Sequence, residues 1–150
     1  MDETPVPAAG EAAEWGDEDT IRWILSECET WAVIGLGDNP FRPARQVAKF
    51  LQQHGKRIVP VHPSAVTVLG EPGYATLAEV PFAVDCVDVF RRASAAGEFA
   101  DQAMQIGARA VWFQLGVIDQ AAHARTVDGG LEMVMDRCPV IEWPAYGPPA

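Results

Sequence analysis

Apolar runs and amphipathic segments alternate along the chain from residue 21 onward. Short, largely apolar runs are typical of strands buried on both faces, whereas apolar residues repeating every three or four positions indicate helices. The predicted strands are 31–36, 58–61, 83–89, 110–115 and 131–135. The predicted helices are 21–28, 43–54, 94–106 and 119–127, with a helical turn at 76–79. This alternation predicts an α/β fold, a three-layer, doubly wound (Rossmann-like) sheet of five mainly parallel strands with helices on both faces.

The apolar faces of the helices indicate which side chains pack on the sheet. Asp19 and Thr20 fit the N-terminal cap of the first helix. The inward side chains are predicted to be Ile21, Ile24 and Leu25, then Val47, Phe50 and Leu51, then Phe99, Ala103, Met104 and Ile106. Ligands of such a sheet bind beyond the carboxyl ends of the strands, where the strand order reverses, so the loops after the strands are the place to seek a site.

The segment 31–49 is the strongest local signal for a ligand. An apolar strand leads into Gly35-x-Gly37, and Pro43 follows at a position that suits the first residue of a helix. Glycine lets the backbone turn sharply and approach a ligand, and the free N–H groups of a helix N-terminus attract an anion. With Arg42 in the same turn, the sequence predicts a phosphate-binding turn. A purely structural strand-to-helix turn is the competing interpretation.

The acidic residues are concentrated at the N-terminus. The formal net charge is -10, but residues 1–19 hold seven acids and no base, which leaves 14 acids against 11 bases in residues 20–150. Such a segment predicts a disordered acidic tail before a single domain over residues 20–150. Nucleic-acid binding is disfavoured, because no basic stripe with interleaved aromatic residues is present.

The cysteine pattern and hydropathy indicate a reduced, non-membrane environment. Cys28, Cys86 and Cys138 are far apart and form no CxxC pair, so three buried thiols are expected and a metal site is not. No apolar run approaches the roughly 20 residues of a membrane span, and the acidic start is not a signal peptide. A cytoplasmic protein is therefore predicted. Cys138 follows a strand end and could face a ligand cleft, but a buried structural cysteine is the favoured interpretation.

An NAD(P) site is the first candidate for the glycine turn, but two residues argue against it. The dinucleotide fingerprint G-x-G-x-x-G requires a third glycine where this chain has Pro40. The second strand ends at His62 rather than at the acid that binds a ribose. The turn therefore favours another phosphate-bearing ligand.

Five segments in register resemble one protein family. They read VIGLGDNPFRPARQVAKFLQQHGKRIVPVHP, VLGEPGY, VDCVDVFRR, IGARAVWFQLGV and GLEMVMDRC. Over about residues 20–143 the chain resembles the small stand-alone CoA-binding proteins, which are similar to the N-terminal CoA-binding domain of the succinyl-CoA synthetase alpha subunit. The resemblance implies a nucleotide-binding, Rossmann-like domain whose cofactor is coenzyme A.

The resemblance also implies which residues contact CoA. The turn around the nucleotide would be formed by Gly35, Gly37, Asp38, Asn39 and Pro40, with Arg42 nearby. Arg57 or Lys56 would meet a phosphate, and His62 and Pro63 would border the adenosine. Val89, Phe90 and Arg91 would line the nucleotide, and Gln114, Leu115 and Gly116 the far wall. Arg91 and Arg92 could instead pair with Asp85, Asp88 or Asp136.

The function predicted from this set is binding of CoA or an acyl-CoA without catalysis, for sensing, storage or delivery. The synthetases use a phosphorylated histidine from a separate domain, and this chain has no Ser/His/Asp set, HExxH or P-loop. An NAD(P)-linked oxidoreductase, or a CoA-binding subunit of an acyl-CoA ligase completed by another chain, is the enzymatic alternative. An interaction module with a vestigial cleft is a further one. A protein partner or a homo-oligomer is compatible with each.

Overall fold

The computed structural model describes residues 15–149. The predicted tail over residues 1–19 lies mostly outside this range, and its last residues are helical. Helix α1, Glu18–Glu27, begins three residues before the predicted start, because Asp17 is the cap rather than Asp19. The Asp17 carboxylate accepts a 2.8 Å hydrogen bond from the Thr20 N–H, which fixes the first turn.

All five strands of the sheet are parallel, as the sequence predicts. They are β1 (Thr30–Ile34), β2 (Arg57–Val61), β3 (Cys86–Val89), β4 (Ala110–Phe113) and β5 (Glu132–Val134), in the order β2-β1-β3-β4-β5. In the register, Ile34 lies opposite both Val61 and Val89, so these strands end at one level. The doubly wound α/β fold is thereby confirmed, and the strand order reverses between β1 and β3.

The remaining helices cover both faces of the sheet. They are α2 (Pro43–Gln53), α3 (Ala93–Gln105), α4 (Gln120–Asp128) and α5 (Pro139–Tyr146), with a 3-10 turn at Leu77–Glu79. Strand residues alternate between two cores: Trp31 and Val33 pack on one face with Leu25 and Leu51, and the next residues along β1 pack on the other. Within residues 15–149, no helix is long and apolar enough to cross a membrane.

Two features of the helices differ from the prediction. The sequence pattern does not predict helix α5, because Pro144 in its middle is a residue that normally ends a helix. The predicted inward face of α3 is wrong at Ile106, which is 37% exposed, whereas Gly97 and neighbouring alanines are buried. A Cβ on Gly97 would lie 2.9 Å from the Arg125 guanidinium. Close packing therefore selects small residues for this face rather than the largest apolar ones.

Candidate functional site

A cleft of about 1100 Å³ opens at the carboxyl ends of β1 to β4. It lies where the strand order reverses, because β1 has β2 as its neighbour on one side and β3 on the other. Its walls come from the loops that follow these strands, from the start of α2 and from Cys138 before α5. Parallel strands bring these loops together because their carboxyl ends share one edge of the sheet.

The glycine turn after β1 fits closely between its neighbours. Gly35 has φ +96°, and its N–H donates to the Val61 carbonyl at 2.8 Å. A Cβ on Gly35 would lie 2.9 Å from the Phe90 carbonyl oxygen, and one on Gly37 would lie 3.0 Å from the His62 ring. The two glycines therefore allow the loops after β1, β2 and β3 to meet at the cleft.

Replacing Gly35 with alanine is expected to destabilise the protein by about 3 kcal/mol, since a positive φ and a close backbone contact act together. Gly55→Ala is the matched control, because Gly55 has φ +88° and a Cβ at this position would meet nothing within 4 Å. The control is expected to lose only about 1 kcal/mol. Urea unfolding of both variants measures the difference. Equal losses would show that the contact with Phe90 is unimportant.

Two helices begin at the cleft without a side-chain cap. The N-cap residues are Arg42 for α2 and Arg92 for α3, and neither N-terminus is capped by a side chain of the described residues. In contrast, Asp17 and Asp119 cap α1 and α4. The uncapped N–H groups and the positive ends of the two helix dipoles make this part of the cleft suitable for phosphate groups.

Three arginines line the same part of the cleft, namely Arg42, Arg91 and Arg92. The Arg92 Nε donates to the Ser94 hydroxyl at 3.1 Å, and the Arg91 guanidinium lies 5.7 Å from the centre of the Phe99 ring. The three acids that the sequence suggested as partners of Arg91 and Arg92 contact other groups instead. Asp85 lies 3.7 Å from Arg109. Asp136 accepts a hydrogen bond from the Gly116 N–H, and Asp88 accepts one from the Gln114 side chain. The three arginines outnumber Asp38, the one acid among the described residues that line the cleft, so the net charge of this lining is positive.

His62 borders the cleft after β2 and is held by its own loop. Its Nδ1 accepts from the Ser64 N–H at 3.1 Å, and the Ser64 hydroxyl lies 2.8 Å from the same atom. Because Nδ1 is the acceptor, the neutral ring carries its proton on Nε2, beside Gly37. His62 thus lines the cleft, and its hydrogen bonds give the ring a structural role; the contact with adenosine that the resemblance implies stays a prediction.

Asp88 is a buried acid that contacts a cleft residue, and the sequence did not indicate it as functional. It lies in β3, is 0% exposed, and accepts a 2.6 Å hydrogen bond from Nε2 of Gln114, which lines the cleft. Burial raises the pKa of Asp88 to about 7, partly offset by the Gln114 hydrogen bond. Its Oδ2 has no partner within the described chain. The available signal was an acid inside an otherwise apolar strand.

Cys138 also lines the cleft, although it is only 8% exposed. Burial raises the pKa of its thiol, while hydrogen bonds from the Val140 and Ile141 N–H groups at the start of α5 act in the opposite direction. The thiol is therefore expected to be protonated at neutral pH and a weak nucleophile.

Alkylation of Cys138 by iodoacetamide at pH 7 is expected to be slow, and faster than that of Cys28 and Cys86, which are 0% exposed. A ligand that fills the cleft is expected to slow it further by at least about fivefold, through exclusion of the reagent. Mass spectrometry of tryptic peptides measures the three rates. Unchanged Cys138 labelling at saturating ligand would place the ligand elsewhere.

Most residues that the sequence assigned to the site line this cleft. They are Gly35, Gly37, Asp38, Asn39, Arg42, His62, Pro63, Phe90, Arg91, Gln114 and Gly116. Ala75 and Phe99 also line it, although the sequence did not assign them to the site. Phe99 was assigned to the core, and no sequence signal distinguishes a core face from a cleft wall in the first turns of a helix.

Four residues that the sequence suggested for the site lie outside the cleft. Arg57 is the first residue of β2, at the opposite edge of the sheet, where its guanidinium stacks 3.8 Å from the centre of the Phe82 ring. Val89 is 0% exposed within the core, and Pro40 lies in the turn but not on its cleft side. The neighbouring Lys56 is buried at the same opposite edge, 3.8 Å from Glu29. A residue at the start of a parallel strand, or just before it, lies at the other edge of the sheet from the loops that follow the strands.

The fold and this cleft define a class of protein, and comparison with known sequences agrees. Residues 29–144 match the family model of the CoA binding domain, and the chain belongs to this family. The resemblance inferred from the strand-end segments is thereby confirmed.

Individual relatives share most of the chain. The uncharacterized protein YneT of Bacillus subtilis (strain 168) is 32% identical over 118 residues, which cover 79% of this chain and 87% of the relative. A hypothetical protein from Pyrococcus horikoshii OT3 has a TM-score of 0.84 and 30% identity, over 97% of this chain and 99% of that one.

A larger protein shares the fold alone. The dinucleotide forming acetyl-coenzyme A synthetase 1 of Ca. Korarchaeum cryptofilum matches with a TM-score of 0.63 at 16% identity. The match covers 74% of this chain and 26% of that one.

Proposed function

We propose that this protein binds coenzyme A, or an acyl-CoA, in the cleft at the carboxyl ends of the strands. The observation that carries the proposal is the meeting of two uncapped helix N-termini and three arginines at the strand-order switch of a CoA binding domain. CoA carries a pyrophosphate and a 3′-phosphate, which need such donors and positive charge.

The distribution of charge along the cleft also suits the two halves of CoA. The loops after β1 and β3 contribute the positive charge of the cleft, through Arg42, Arg91 and Arg92. The loop after β4, with Leu115 and Val117, contributes neutral and apolar groups. The phosphates are proposed to occupy the arginine side of the cleft, and the uncharged pantetheine arm the side of β4.

We further propose that the bound molecule undergoes no chemistry at residues of this chain. His62 uses Nδ1 to accept from its own loop, so this nitrogen is not available as a base. Cys138 has a raised pKa and is not a ready nucleophile. These two side chains, which could supply a base and a nucleophile in the cleft, therefore support retention of the ligand rather than its conversion.

A thermal-shift panel of CoA, acetyl-CoA, NADH, NADPH and ATP tests the proposal. A ligand at 100 times its dissociation constant stabilises the folded protein by about 2.7 kcal/mol. CoA or acetyl-CoA is expected to give the largest increase in Tm. A larger increase with NADH or NADPH would support the oxidoreductase, and no increase with any ligand would support an interaction module. Copurification of a ligase chain that consumes the bound CoA would support the synthetase-subunit alternative.

A further inference from the structure

The hydrogen bond between Asp88 and Gln114 joins a residue without solvent contact to one that lines the cleft. The Gln114 Nε2 lies 2.6 Å from the Asp88 Oδ1, and the two residues are 0% and 6% exposed. They lie close together because β3 and β4 are neighbours: Asp88 lies in β3 and Gln114 directly follows β4. This short hydrogen bond restrains the side chain of Gln114.

This contact fixes which end of the Gln114 amide remains for a ligand. The Gln114 Nε2 is the atom that faces the Asp88 Oδ1, and an amide nitrogen only donates, so the carbonyl oxygen of the amide is its remaining acceptor. The backbone of the same loop is held as well, because the Gly116 N–H donates to the Asp136 carboxylate at 2.7 Å. Gln114 therefore offers the cleft a preorganised hydrogen-bond acceptor.

The surroundings of Gln114 indicate what kind of donor that acceptor meets. The cleft residues nearest to it in sequence are Leu115, Gly116 and Val117, which are uncharged, whereas the arginines lie on the loops after β1 and β3. The pantetheine arm of CoA is uncharged and carries two amide N–H donors. An acceptor in a neutral wall suits these donors, and it would repel a phosphate oxygen.

We propose that Asp88 is a positioning residue that orients Gln114 to accept a hydrogen bond from an amide N–H of the pantetheine arm. This inference rests on the proposed binding of CoA. Asp88 does not touch the ligand. It acts by holding one rotamer of Gln114, so that no conformational freedom of this side chain is lost on binding.

Calorimetric titrations with CoA and with 3′-phospho-ADP test this role. The second ligand keeps the adenine and all three phosphates but lacks the arm. Gln114→Met is expected to lower the affinity for CoA about tenfold, as loss of one hydrogen bond does. Asp88→Ala is expected to produce most of the same loss of affinity. Neither variant is expected to change the affinity for 3′-phospho-ADP by more than about twofold. The double variant is expected to bind CoA no more weakly than Gln114→Met alone.

The two ligands separate a positioning role from a structural one. Equal losses of affinity for CoA and for 3′-phospho-ADP would overturn the inference, since they would indicate a general disturbance of the fold or a contact with the nucleotide. Additive losses in the double variant would overturn it too. Asp88→Asn keeps an acceptor at the same place, and it is expected to bind CoA more tightly than Asp88→Ala; equal affinities would contradict the positioning role. Failure of the unmodified protein to bind CoA at all would instead refute the proposed function.

Discussion

Replacing Asp88 with asparagine is expected to stabilise the protein increasingly as pH rises from 4 to 8. The folded-state pKa of Asp88 is about 7 because the carboxyl is desolvated, against an ordinary value of 3.8. Between these values the folded protein holds a proton that the unfolded chain has lost, so its stability falls as pH rises and levels off above pH 7. A pKa difference of about 3 corresponds to about 4 kcal/mol. Asparagine has no charge to bury and escapes this loss.

Urea unfolding of both proteins at several pH values between 4 and 8.5 measures the effect. Asp85→Asn is the matched control in the same part of the chain. Asp85 accepts from the Glu29 and Thr30 N–H groups and lies 3.7 Å from Arg109, so its substitution is expected to destabilise the protein. A stability difference between the unmodified protein and Asp88→Asn that stays constant with pH would contradict a desolvated Asp88.

Reversing the charge at Arg42 is expected to weaken CoA binding roughly 10- to 100-fold. Arg42 is the N-cap residue of α2, on the proposed phosphate side of the cleft, and hydrogen bonds to charged groups contribute about 1.5 to 3 kcal/mol. Arg42→Glu is expected to weaken the binding of CoA and of dephospho-CoA equally, because the start of the helix and the glycine turn are proposed to bind the pyrophosphate that both ligands carry. Arg57→Glu is the matched control, since Arg57 lies at the opposite edge of the sheet and is expected to leave both affinities unchanged.

Calorimetry with both ligands on both variants provides the measurement. A selective loss of CoA relative to dephospho-CoA in Arg42→Glu would assign this residue to the 3′-phosphate instead. An equal loss in Arg57→Glu would indicate a long-range effect of net charge and would contradict the local role of Arg42.

The sequence predicted the β1-turn-α2 unit well because every level of its pattern agrees. An apolar strand, two glycines and a proline at the start of the helix each indicate the same local structure. The loops after the strands could be assigned to one site because parallel strands share an edge. The same rule should have excluded Arg57, which lies at the start of its strand. Its position beside the strand and the resemblance had suggested it.

The burial of Asp88 and the presence of helix α5 could not be predicted from local sequence patterns. The burial of Asp88 depends on the packing of helices against β3, and its partner Gln114 is 26 residues away. Helix α5 forms despite Pro144 because tertiary packing of Trp143 against Phe50 supports it, at 5.6 Å between ring centres. Local patterns contain neither contact.

An NMR titration of the protein with CoA is the sharpest test of the proposed binding cleft, because the backbone amides of the glycines report on both edges of the sheet. Gly35, Gly37 and Gly116 line the cleft, whereas Gly55 and Gly107 follow α2 and α3 at the opposite edge. Saturable shifts are expected at the first three amides, with little change at the other two. Shifts confined to Gly55 and Gly107, or no shifts at millimolar CoA, would contradict binding in this cleft.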